Sequence, residues 1–133
     1  MEEMPKNETP LSVGIQISGT FDIALARQHL RKLSEELQWS PTFRMRATAA
    51  FTALAEIAHF KDRQHEGPSV VYVQVLEQNG VQGVEFHADT NLEMISREYP
   101  VARWQLQRVS DELEVEEGKA VQHIVMRVWA NGK

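Results

Sequence analysis

Five histidines stand in a chain that has no cysteine: His29, His59, His65, His87 and His123. Imidazole changes charge close to neutral pH, so each is a candidate for acid–base work or for metal ligation. A transition-metal site needs several such donors at one point. Only His59 and His65, with Asp62 between them, lie near one another in sequence. Six residues apart across a helix end, they make a weak site, and the five histidines read as dispersed over the surface. Asp111, Glu112, Glu114, Glu116 and Glu117 crowd around a turn. Paired carboxylates serve as acid and base when burial separates their proton affinities, but a run with no apolar burial beside it reads as a solvated face. Ser18, Ser34 and Ser96 have no neighbouring base to activate them. No P-loop, Gly-x-Gly-x-x-Gly or Gly-x-Ser-x-Gly occurs.

The bulk properties narrow the field further. The absence of cysteine removes disulfides, thiol catalysis and thiolate metal sites, and it fits a reducing, cytoplasmic setting. A length of 133 residues, 42% hydrophobic and 25% charged, suits one domain with one core. A net charge of −5 speaks against a general nucleic-acid binder, which needs a basic stripe to neutralise phosphates. Arg27, Arg31 and Lys32, with Arg44 and Arg46 on the next segment, form the one local basic cluster, and a solvated helix face accounts for them. No apolar run reaches the roughly 18 residues of a membrane span. The opening residues, Met1 to Glu8, lack the cationic and apolar regions of a signal peptide.

The elements that must position these side chains follow from periodicity. Residues 1–10 read as a flexible tail and residues 11–133 as a single domain. Leu11 to Ser18 alternates Leu11, Val13, Ile15 and Ile17 with polar or small neighbours, a half-buried strand. A helix opens at Gly19 or Thr20, with Ala26, Leu30, Leu33 and Leu37 on its core side, and closes at Trp39. Ser40-Pro41 caps a second, alanine-rich helix running to about Asp62, after which Gly67-Pro68 ends a polar link. Val70 to Glu77 and Val81 to Ala88 flank Asn79-Gly80, the dipeptide of a type I′ hairpin turn. Asn91 to Leu113 reads as helical with a break at Pro100. A last strand, Ala120 to Trp129, follows a turn at Glu117-Gly118. The order β-α-α-β-β-α-β predicts an α+β fold: a two-layer sandwich with a largely antiparallel mixed sheet and helices on one face.

That order, with a long alanine-rich second helix before a hairpin, resembles the histidine-kinase-type ATPases. Within them it is most similar to the small anti-sigma-factor serine kinases of bacterial partner-switching pathways. Phe21 to Gln28 resembles their first-helix opening, and Thr48 to Ile57 sits where they carry the N-box. Val101 to Leu113 and Ala120 to Trp129 match their last helix and strand. The resemblance implies an N-box Glu-Leu-x-x-Asn, whose glutamate activates the nucleophile and whose asparagine holds magnesium. Here those positions are Ala53 and Ile57, which can neither take a proton nor ligate a hard cation. The next box, Asp-x-Gly-x-Gly, becomes Asp89-Thr90-Asn91-Leu92-Glu93. Asp89 stands as a possible residual adenine contact, both glycines are gone, and no glycine-rich lid precedes the last helix.

With the base, the metal ligand, the glycines and the lid all absent, no cofactor is expected, ATP and magnesium included. The expected function is a non-catalytic regulatory module for protein–protein interaction, homodimerising or meeting a component of an anti-sigma or sigma-factor pathway. Two alternatives stay open: an active serine kinase, and a small-molecule binder reusing the cleft near Ala53, Ile57, Asp89 and Trp104. Strand alternation suggests where a partner would sit. Val121, His123, Val125, Arg127 and Trp129 share one face of the last strand, with Glu85 and His87 beside them on the hairpin. Left uncovered by helices, that face is expected to be half-apolar.

Overall fold

Alternating residues build the strands, and a period of 3.6 builds the helices that cover them on one side. The computed structural model describes residues 12–61, 69–116 and 121–132. The strands are β1 (Ser12–Ile17), β2 (Ser69–Gln78), β3 (Val81–Thr90), β4 (Glu112–Val115) and β5 (Gln122–Trp129). The helices are α1 (Thr20–Glu36), α2 (Pro41–Glu56), α3 (Leu92–Glu98) and α4 (Ala102–Val109). The strands lie in the order β1-β2-β3-β5-β4, and every neighbouring pair is antiparallel. The fold is thus α+β, a two-layer sandwich. No helix among the described residues is long and apolar enough to cross a membrane. The expected tail at residues 1–10, the Gly67-Pro68 link and the Glu117-Gly118 turn lie outside the described residues.

Local chemistry sets the element ends. The Ser40 side chain accepts from the Phe43 backbone N–H at 3.1 Å, and Pro41 fills the first turn of α2. Gln38 turns to a positive φ of 59° after α1, so the chain reverses and Trp39 packs against Phe43, tilted, at 4.5 Å between centroids. Asn79 and Gly80, with φ of 53° and 81°, make the hairpin turn. Ala26 and Leu30 of α1 are buried, joined by Ile23 and Ser34, while Leu33 and Leu37 pack at the margin. α2 crosses the middle of the sheet, burying Phe43, Ala47, Phe51 and Leu54. Its Phe51 meets Phe86 of β3 at 5.9 Å. Each such side chain contributes about 1.5–3 kcal/mol by leaving water.

Tyr99-Pro100 separates α3 from α4, at the break expected there. Two stretches differ from their expected forms. The second helix is α-helical only to Glu56, and a single π turn over Ile57–Lys61 completes it. Leu113 belongs to no helix. Ser110 takes an extended conformation after α4, and Glu112-Leu113-Glu114-Val115 alternates as the edge strand β4. Leu113 and Val115 pack toward the core, so the acidic run is the polar side of a strand.

One cross-layer clamp ties α2 to this edge. Arg46 donates to both carboxylate oxygens of Asp111, at 2.8 and 2.7 Å, and to the Trp129 carbonyl at 2.8 Å. Asp111 also accepts from the Trp129 backbone N–H at 2.7 Å. Arg46 is therefore a structural residue and leaves the basic cluster in which its sequence neighbours place it. Arg46→Ala strands a largely buried carboxylate, and urea titration should show a loss of about 3 kcal/mol in unfolding free energy. An unchanged midpoint would show that the clamp contributes nothing.

Candidate functional site

The strand pleat divides the central residues between two faces. Val84, Phe86 and Ala88 of β3 and Ile124, Met126 and Val128 of β5 are buried beneath the helices. Glu85, His87 and Asp89, with His123, Val125, Arg127 and Trp129, take the opposite face, and no described helix covers it. Glu112 and Glu114 of β4 join them. Two aromatic rings approach glycines closely on this face. A Cβ on Gly83 would come within 2.5 Å of the Trp129 ring, and one on Gly14 within 2.9 Å of Tyr72. Glycine at these two positions is what lets the rings lie against the sheet.

A single hydrogen-bonded chain crosses the face. The Asp89 carboxylate is 2.7 Å from His123 Nδ1, and His123 Nε2 is 3.1 Å from His87 Nδ1. His87 Nε2 is 2.6 Å from Glu85 Oε1. Glu85 Oε2 then accepts from Arg127 Nε at 2.6 Å. The Arg127 NH1 group donates to Glu112 at 3.1 Å and to Glu114 at 2.5 Å. Trp129 Nε1 closes the chain on Glu112 at 2.9 Å. Each imidazole thus lies between the other ring and a carboxylate, with Asp89 beyond His123 and Glu85 beyond His87.

Burial would raise the pKa of Glu85, but hydrogen bonds from His87 and Arg127 outweigh it and hold the carboxyl below its ordinary range. The Glu114 hydrogen bond, with further support from Glu85 and Glu112, raises the already high pKa of Arg127 despite some desolvation. Arg127 is thus a permanent cation around which carboxylates gather.

The residues named from sequence are placed as follows. His123, Val125, Arg127 and Trp129 share the open face as expected, and Val121 stands just before β5 with 53% of its surface exposed. Its apolar side chains are unevenly exposed: Val125, at 7%, is sunk between its neighbours, while Tyr72 and Val121 are each 53% exposed. Asp89 also lies here, its side chain 68% exposed. Ala53 and Ile57 are on the other side of the sheet, where Ile57 is 1% exposed in the core. These three positions therefore share no cleft. Asn91 caps α3 by accepting from the Met94 N–H at 3.0 Å, and the Glu93 N–H donates to Gln122. Trp104 is exposed on α4 with Arg108 over its ring.

His59 lies in the π turn, while Asp62 and His65 lie outside the described residues. Among the described residues no group of three or more His, Asp or Glu side chains is arranged to hold a metal. Arg27, Arg31 and Arg44 do meet, across the gap between α1 and α2, in an open depression that includes Thr48.

Sequence reasoning missed Glu112, Glu114 and Asp111 as partners of this face. The signal was present as the two-residue alternation of Glu112 to Val115, hidden by the helical pattern before it. Glu85 makes the face sensitive to acid. Its folded pKa lies below the unfolded value, so its stabilisation is complete above the ordinary carboxylate range, near pH 4.3, and disappears as pH falls through the folded value. Stability should fall more steeply between about pH 5 and pH 3 for the natural protein than for Glu85→Gln. Parallel slopes in chemical denaturation would remove Glu85 from this role. No protein-family model matches the sequence, and no curated protein matches it either.

Proposed function

We propose that this protein is a non-catalytic regulatory module that receives a protein partner on the open face of its sheet. The observation that carries the reading is a broad face that no described helix covers, organised by one continuous network from Asp89 to Trp129. A network that holds side chains in place before contact lowers the entropic cost of association. Tyr72 and Val121 supply exposed apolar surface at the margins. The exposed carboxylates of Asp89 and Glu114 complement a partner surface bearing lysine or arginine.

The separation of Asp89 from Ala53 and Ile57 supports a role without ATP or magnesium. Ala53 and Ile57 offer no oxygen donor, and Asp89 faces away from both. The resemblance to anti-sigma-factor kinases makes a component of a cytoplasmic partner-switching pathway the natural candidate.

A photo-crosslinking residue at Val121 should capture a discrete protein from the source cell, and Asp89→Lys should weaken that capture about tenfold or more. The same probe at Glu56 on α2 should capture none. Equal capture from both positions would contradict the proposal, as would micromolar binding of ATP with magnesium by calorimetry.

A further inference from the structure

The two edges of the sheet are built differently. β4 is four residues long and carries Glu112 and Glu114. Shortness and charge are standard means of keeping an edge from pairing with another chain. β1 has neither: its six residues, Ser-Val-Gly-Ile-Gln-Ile, include no charge and no proline. Among the described residues only β2 pairs with it. Beside this edge, on the helical side, lies a depression of about 200 Å³ floored by Ile15, Leu30, Leu33 and Val73. Lys32 and Glu36 stand at its rim. Ile15 and Leu33 reach the core yet remain half-exposed.

We propose that a second copy of this chain pairs its β1 antiparallel with this one, joining two five-stranded sheets through a two-fold axis. For both helical layers to fall on the same side, residues of like parity must oppose one another, so the axis passes beside Gly14 or Ile15. The depression adjoins Ile15, so the stretch of α1 above it meets its own copy there, antiparallel. Leu33 of each protomer then covers the apolar floor of the other. Lys32 and Glu36, one turn apart and both exposed, approach the opposite charges of the second copy, each contact occurring twice by symmetry. This reciprocal charge, with an edge that carries no charge or proline and that only β2 pairs with among the described residues, selects the chain itself as the occupant. The surface is separate from the open sheet face, so partner docking there and pairing here stand or fall independently.

Sedimentation velocity of the full chain tests this directly. The natural protein should sediment as a dimer. Lys32→Glu and Glu36→Lys each set like charges against one another twice and should raise the dimer dissociation constant about tenfold or more. The double variant Lys32→Glu/Glu36→Lys should restore association. Both positions are exposed, so far-ultraviolet circular dichroism should not change. A monomeric natural protein at ~100 µM, well above the range of specific dimers, would overturn the proposal. So would a double variant no better associated than the single ones.

Discussion

Arg127 gathers three carboxylates, Glu85 at 2.6 Å, Glu112 at 3.1 Å and Glu114 at 2.5 Å. Glu85 comes from β3 and the other two from β4, so one guanidinium bridges both neighbours of the strand that carries it. A hydrogen bond to a charged group contributes about 1.5–3 kcal/mol, and leaving its partner unpaired costs more than that. The carboxylates would repel one another without the cation. With it, Glu85 stays ionised at 8% exposure and presents its second oxygen to His87. The histidine pair, and through it Asp89, is therefore arranged from Arg127 outward.

The two faces of the sheet meet different requirements. Beneath the helices, close packing of Phe51, Phe86 and Met126 decides which side chains fit. On the open face, packing is slight and order comes from directional bonds. The two systems are joined at one corner. Asp111, at the start of β4, takes Arg46 from the helical layer and the Trp129 backbone from β5.

Much of this architecture was legible because its causes are local. Asn79-Gly80 demands a type I′ turn, Ser40-Pro41 starts a helix whatever lies elsewhere, and alternation along β5 sorts Ile124 from His123. The missed parts depend on partners far away in sequence. Glu112 and Glu114 read as a solvated run because nothing within their own segment announces Arg127 across the ladder. Val125 reads as exposed because its cover comes from the side chains of β3 and β4. Asp89, expected from a family resemblance as a residual nucleotide contact, lies on the face of β3 turned away from α2. Pairing register is the quantity a linear reading lacked.

The order of the open face depends on Glu85 and Arg127 acting as one unit, and a double-mutant cycle measures that coupling. Urea unfolding of the natural protein, Glu85→Gln, Arg127→Met and the double variant should give an interaction energy of about 1.5–3 kcal/mol. Losses that add to within about 0.5 kcal/mol would mean that the two residues are independent. The open face would then have no organising centre.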